Sequence, residues 1–355
     1  MEPEMNKEPE YTTPAAVRSV TSYPARRSFA PGAIDPSTGI IPGVTDMIDI
    51  HCHASKGQQD PLGVAKLASR SGMRGILYKT IVDRKEPAKY ARKVQDDLSA
   101  WADKERVTPI ACWAGSTICE GFMAPIRVER SRALLDEGCV ALWMPNTTAA
   151  RTLSVVGAHK FHWDKTADRS DHSDPLPWDE ALKYGHYLLA ENGKLKPEIV
   201  EIFRMSADRG TAIFMGHPTK PELWAMAELC DKLNFKRGVV DHPFSPFVGL
   251  SVAEMKEISG FGLWMNFTFD EISPLLGIDP KFMYDAVRAV GPERCTLSSD
   301  CGEPLFPNSV EAMRLMNYYM TAFGCTAEEI HLMMTRNPAF IVGAESSVPA
   351  RAAAE

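Results

Sequence analysis

The chain has 355 residues, 45% of them hydrophobic and 24% charged, with a formal net charge of −7. That composition suits a soluble globular protein with a large core, and its acidic balance speaks against a nucleic-acid partner, which calls for a basic face. No stretch is apolar enough to span a bilayer, no basic-then-apolar leader opens the chain, and eight cysteines without a CxxC pair read as reduced core thiols of a cytoplasmic protein.

Residues 1–44 are rich in Pro, Glu, Ser and Thr without a sustained hydrophobic period, and read as an irregular arm. The stretch from Thr45 to His53 then reads as a buried strand ending in two histidines one residue apart. Alternation puts Met47, Asp49, His51 and His53 on one face and Ile48, Ile50 and Cys52 on the other. Two imidazoles on one face, about 6.6 Å apart along the backbone, can converge on one metal ion. Asp60-Pro61 opens a helix that Gly72 closes. Met73–Thr80, with Lys79 near its end, is a second apolar strand; a charged helix over 86–104 leads to a third, Val107–Trp113. A helix over 126–137, closed by Gly138, precedes a fourth strand, Cys139–Met144, which carries Trp143.

The rhythm breaks at Pro145 and resumes near Lys196. A long insertion here, 147–196, carries His159, His162 and His172 among aspartates and reads as a solvated loop or a lid over a site. A helix from Pro197 to Gly210 then leads to Thr211–His217, a fifth strand ending in histidine. Beyond a helix over 221–233, Gly238–His242 is a sixth, also ending in histidine. A capping box at Ser251–Glu254 opens the next helix. Phe261–Phe267, with Trp264 and Asn266, is strand seven. Cys295–Asp300 is strand eight and ends in a carboxylate. Two helices follow, then Asn337-Pro338-Ala339 and a tail over 346–355.

Eight apolar strands alternating with helices predict an α/β fold, a (β/α)8 TIM barrel over 45–345. No glycine-rich phosphate loop follows any strand, which weakens the competing doubly wound sheet. Active sites of such barrels lie at the C-terminal ends of the strands. There fall His51 and His53 of strand one, His217 of five, His242 of six and Asp300 of eight. With Asp300 inward, Thr296 and Ser298 point inward and Leu297 outward; with His217 inward, Ile213 and Met215 are expected to fill the barrel.

This constellation resembles the amidohydrolase superfamily: Asp49-Ile50-His51-Cys52-His53, Met215-Gly216-His217, Val240-Asp241-His242 and Ser299-Asp300 match its HxH, two single histidines and aspartate. The resemblance covers roughly 45–345 and is nearest to uncharacterised amidohydrolase-like members. Imidazoles and one carboxylate suit Zn²⁺, with Mn²⁺ or Fe²⁺ as alternatives. The resemblance implies one divalent metal held by His51, His53, His217 and Asp300, with Asp300 also moving the proton of the attacking water and His242 acting on the substrate. Members with two metals carry a bridging lysine or glutamate after strand four, which Cys139–Asn146 does not supply. Asp49 is expected to support a ligand histidine from behind. Lys79, Asn266, Trp143 and Trp264 are candidates for gripping the substrate.

The expected activity is hydrolysis of an amide, cyclic amide or ester of a small molecule. Decarboxylation or hydration of an unsaturated or aromatic acid on the same metal site is the alternative, and a barrel retained as a binding module is a third reading. A small-molecule substrate, a homo-oligomeric assembly and neither nucleic acid nor membrane complete the expected partners.

Overall fold

The computed structural model describes residues 39–54, 58–80, 86–157, 175–274, 276–302 and 306–347. Residues 1–38 of the arm, the three histidines of the insertion and most of the tail lie outside them. Eight strands form one sheet in chain order, each parallel to the next: β1 (Ile48–Cys52), β2 (Gly75–Thr80), β3 (Ala111–Thr117), β4 (Ala141–Trp143), β5 (Ala212–Phe214), β6 (Gly238–Asp241), β7 (Trp264–Thr268) and β8 (Cys295–Ser298). Helices alternate with them. This is the (β/α)8 barrel that the strand–helix rhythm predicts. No helix of the described residues is long and apolar enough to cross a membrane.

Most helix ends carry the signals that the sequence shows. Asp60 accepts from Gly63 N and caps α1 (Pro61–Arg70), while α2 (Pro87–Glu105) and α3 (Val128–Glu137) end on the left-handed residues Arg106 and Gly138. The third strand starts four residues later than expected, because Pro109 has no N–H for a ladder and the Gln95 side chain bonds Ile110 O and Cys112 N instead. The insertion is not a plain loop. Its described part holds α4 (Ala150–Val156) and α5 (Trp178–Tyr184), which pack Ala150, Leu153 and Ala181 together against Phe122 and Tyr187. The helix α6 (Pro197–Arg209) then restores the alternation, followed by α7 (Lys220–Lys232), α8 (Val252–Gly260), α9 (Phe269–Ile272) and α10 (Pro280–Val290).

The barrel interior is filled by Ile48, Ile50, Leu77, Trp143, Phe214 and Val239. Two glycines make room for the large rings. A Cβ on Gly75 would stand 2.1 Å from Trp113, and one on Gly115 would stand 2.2 Å from Trp143. After β8 come α11 (Ser309–Phe323), α12 (Ala327–His331) and a π-helical turn at 332–336. The helix α13 (Asn337–Val342) packs Ala339 and Ile341 into the end of the barrel where the strands begin.

Two registers differ from the alternation expected along the strands. Ile48 and Ile50 point into the barrel, and a register shift between Asp49 and Cys52 lets His51 follow them inward. Asp49 therefore points away, toward β8. On β5 it is Ala212 and Phe214 that fill the interior, while Ile213 and Met215 pack in the outer layer against the helices. Gly216, at φ +69°, breaks the alternation and turns His217 back toward the mouth. A Cβ there would lie 2.4 Å from Pro145 O.

Candidate active site

Strands one and eight meet at the mouth through the residues that carry the chemistry. Asp300 N donates to His51 O at 2.8 Å, and His53 N donates to Cys301 O at 2.9 Å. Asp49 laces the same seam: its carboxylate accepts from His51 N, from Ser299 N and, at 2.5 Å, from Ser299 Oγ. Asp49 thus holds the seam between β1 and β8, not the His51 ring, and burial pushes its carboxyl up to about 6. Asp300 and His242 both take left-handed backbone, φ +47° and φ +34°, a conformation seldom seen in non-glycine residues outside constrained sites.

The side chains converge as follows. His51 Nε2 lies 3.0 Å and His53 Nε2 2.9 Å from Asp300 Oδ1. Among the described residues, His51, His53 and Asp300 are the group that could hold a metal, their ligand atoms lying within 4.8 Å of one another. The other carboxylate oxygen of Asp300, Oδ2, faces His242 Nε2 at 3.9 Å. His242 Nδ1 is 3.1 Å from Ser245 Oγ. His217 stands beside this group and outside the 4.8 Å set, its ring centroid 5.0 Å from that of His242 and stacked on Phe247 at 4.4 Å. Thr152 Oγ1 donates to Asn146 O at 2.6 Å and lies 2.8 Å from His217 Nδ1. With its one proton given to that carbonyl, the hydroxyl faces Nδ1 as an acceptor.

Burial would raise the Asp300 carboxyl, but His51, His53 and Lys79 around it hold it well below the usual carboxylate range. Burial pushes His53 and His242 down to about 4 each, against the pull of Asp300, so both imidazoles are neutral at pH 7. Burial also drives His217 well below the usual imidazole range. Neutral imidazoles beside an ionised carboxylate are a donor set for a divalent cation. A further mark of fit is His53 Nδ1, buried without a hydrogen-bond partner among the described residues.

Of the four substrate-gripping candidates, one reaches the cluster. Lys79 is buried, its Nζ 3.0 Å from His51 Nε2 and 5.5 Å from the centroid of the Trp143 ring. Burial lowers its ammonium despite Asp300 and Asp241 nearby. Asn146, oriented so that its N–H donates to Met144 O, puts its amide oxygen 3.2 Å from both Lys79 Nζ and His217 Nε2. Asn266 is turned inward and saturated: its Nδ2 donates to Asp241 Oδ1 at 2.8 Å, and its Oδ1 accepts from Thr296 and Ser298. Trp143 is fully buried beneath the site, donating Nε1–H to Asp241 Oδ2 at 2.8 Å. Trp264 begins its strand at the opposite end, where it donates to Lys236 O and packs on Phe340.

Asp241, Asn146, Thr152, Asp270 and Glu271 have no role among the expectations from sequence. The first could have been read from period two, since Val239 inward puts Asp241 inward as well. Glu271 is buried, caps α9 and accepts from Phe244 N, which fastens the loop after His242; burial pushes its carboxyl up to about 8. Burial, with Asp300 and Glu271 close by, holds the neighbouring Asp270 well above the usual range. No spacing signal marks these two.

Residues 46–266 match a protein family of unknown function, DUF6282. The chain belongs to that family. A search of curated proteins by sequence finds no match for this DUF6282 member. Among solved structures it is similar to an amidohydrolase from Pseudomonas aeruginosa, at 12% identity and a TM-score of 0.50, covering 84% of this chain and 97% of that one. It is also similar to the dipeptidase AC, a metallopeptidase, at 11% identity and a TM-score of 0.50 over 84% of this chain and 98% of that one. A 2,6-dihydroxybenzoate decarboxylase from Rhizobium follows at 10% identity and a TM-score of 0.46, over 84% and 99%. The DUF6282 chain thus shares the barrel fold of that amidohydrolase and that dipeptidase.

Proposed function

We propose that this DUF6282 protein is a metal-dependent enzyme that hydrolyses an amide, cyclic amide or ester of a small molecule. The observation that carries the reading is the division of labour in Asp300. Its Oδ1 faces His51 and His53, and its Oδ2 faces His242. His51, His53 and Asp300 would hold one divalent cation, Zn²⁺ before Mn²⁺ or Fe²⁺, with His217 Nε2 as the further donor. When bound, such a cation supplies Lewis acidity, polarising a carbonyl and acidifying water. The single-cation reading is supported on β4, where the inward side chain is Trp143, an indole already committed to Asp241.

The chain's own groups supply the rest. Asp300, ionised and partly desolvated, accepts a proton through one oxygen and passes it toward the leaving group. His242, neutral and held at Nδ1 by Ser245, places Nε2 over the same region and donates to an oxygen on which negative charge develops. Lys79 presents a buried ammonium beside the cluster, which suits a substrate carrying a carboxylate. That same feature favours the second reading, decarboxylation or hydration of an unsaturated or aromatic acid. A panel of amides, lactones and aromatic acids, followed for both hydrolysis products and CO₂, separates the two. Metal analysis of protein purified without chelator should give about one equivalent per chain. Protein without bound metal, or inert toward the panel when loaded with Zn²⁺, Mn²⁺ or Fe²⁺, would point to a binding module instead.

A further inference from the structure

Beneath the ligand cluster lies a carboxylate that touches no solvent. Asp241, the last residue of β6, is fully buried, with two N–H donors bonded to it and an imidazole nitrogen at ion-pair distance. Trp143 Nε1 donates to Oδ2 and Asn266 Nδ2 to Oδ1, both at 2.8 Å, and His51 Nδ1 stands 3.2 Å from Oδ1. The first two fix the carboxylate plane, because Trp143 is stacked on Phe214 and Asn266 is itself held by Thr296 and Ser298. An indole and a primary amide so placed offer only N–H to Asp241, so Oδ1 stays an acceptor toward the imidazole.

From this geometry we infer that Asp241 is a positioning residue. It keeps the proton of His51 on Nδ1, so that Nε2 presents its lone pair to the metal of the proposed site. The inference rests on the metal-dependent reading. A second contact agrees with it: Lys79 Nζ lies 3.0 Å from Nε2, and an ammonium can donate but not accept. Nε2 lies between Lys79 Nζ and Asp300 Oδ1, each 3.0 Å away, and with the proton held on Nδ1 by Asp241 its lone pair and Asp300 Oδ1 would be drawn to one cation. Replacing the carboxylate with an amide breaks the arrangement. In Asp241→Asn a single acceptor oxygen must serve three donors. When the new NH₂ faces His51, Nδ1 becomes the acceptor and the proton moves to Nε2, where it blocks ligation. Carboxylates behind ligand histidines typically contribute ~10–100-fold in metal affinity.

The test uses the full-length chain, stripped of metal and titrated with Zn²⁺ against a chromophoric chelator. Asp241→Asn should bind Zn²⁺ ~10–100-fold more weakly than wild type, with the near-UV circular dichroism of a folded barrel. The ¹⁵N–¹H spectrum of histidine-labelled, Zn²⁺-loaded wild type should show His51 in the Nδ1–H form, its signals assigned by their loss in His51→Gln. Wild type that binds no Zn²⁺ overturns the metal reading, and this role with it. Wild type that binds while Asp241→Asn binds as tightly overturns the role of Asp241 alone. Should the variant not fold, the wild-type spectrum decides: His51 in the Nε2–H form overturns the inference.

Discussion

Replacing Gly115 with alanine drives one methyl group into the most crowded layer of the barrel. The added Cβ would lie 2.2 Å from Trp143 Cζ3 and 2.9 Å from Ala141 O. The carbonyl belongs to a strand paired on both sides and cannot retreat. The indole cannot turn either, because it stacks on Phe214 at a 4.2 Å centroid separation and its Nε1 is held by Asp241. Overpacking of this kind costs ~1–3 kcal/mol, and the two rigid neighbours put Gly115→Ala near the top of that range. Against this, alanine gains ~0.5–1 kcal/mol over glycine inside a strand, so the net loss is about 2 kcal/mol. Urea unfolding should show a lower midpoint with an unchanged slope. Strain on the ring is passed to its bond with Asp241, so the Zn²⁺ affinity of the proposed site should fall together with stability. The mechanism is checked by a double-mutant cycle with Trp143→Leu, which removes the clashing ring. The alanine should cost much less in the leucine background than in wild type. A Gly115→Ala protein within about 0.5 kcal/mol of wild type, or strictly additive losses in the cycle, would refute the packing argument.

Three further outcomes are expected. Asp300→Asn should abolish turnover of any substrate found in the panel while circular dichroism still reports a folded barrel, because both oxygens of the carboxylate are in use; near-normal turnover contradicts the assignment. Thr152→Val removes the hydroxyl facing His217 Nδ1; it should cost about 1 kcal/mol of stability and lower kcat/KM disproportionately, as a comparison of unfolding curves with steady-state kinetics will show. His242 titrates near 4 in the folded chain and near 6.5 when unfolded. The unfolded chain therefore takes up the proton first as pH falls, and the stability that the neutral imidazole contributes is present above 6.5 and lost on the way to 4, by ~3 kcal/mol. Raised carboxyls such as Glu271 act in the opposite sense, so the measurement is the difference between wild type and His242→Gln across this window. Parallel curves for the two proteins would rule out the shift.

The strand-end residues were legible because a barrel collects them: His51, His53 and Asp300 do converge, with His242 facing Asp300 and His217 beside it. What period two could not convey was how they get there. The shift in β1 and the left-handed backbone at His242 and Asp300 leave no trace in residue type; only Gly216 announces its turn. Strict alternation therefore sets Asp49 behind a histidine when it faces Ser299, and Asp241, two residues beyond Val239 on the same face, is hidden by the histidine next to it. Asn266 and Trp143, at strand ends, read as reaching for substrate. An amide and an indole inside a barrel must first satisfy their own N–H groups, and Asp241 does that for both.

The lacing between Asp49 and Ser299 spans 250 positions of sequence. Ring closure and site assembly are for that reason a single event in the folding of this chain. A nascent chain ending before β8 holds His51 and His53 but lacks both Asp300 and the backbone oxygen of Cys301 that receives His53 N. Such a fragment has strands one to seven as an open ladder with two exposed edges. Contacts of such long range carry the largest loop-closure cost and form late. A cation that prefers the closed ring would add its binding free energy to this last step, so the metal would act as a clasp on the finished barrel and not as a nucleus for it.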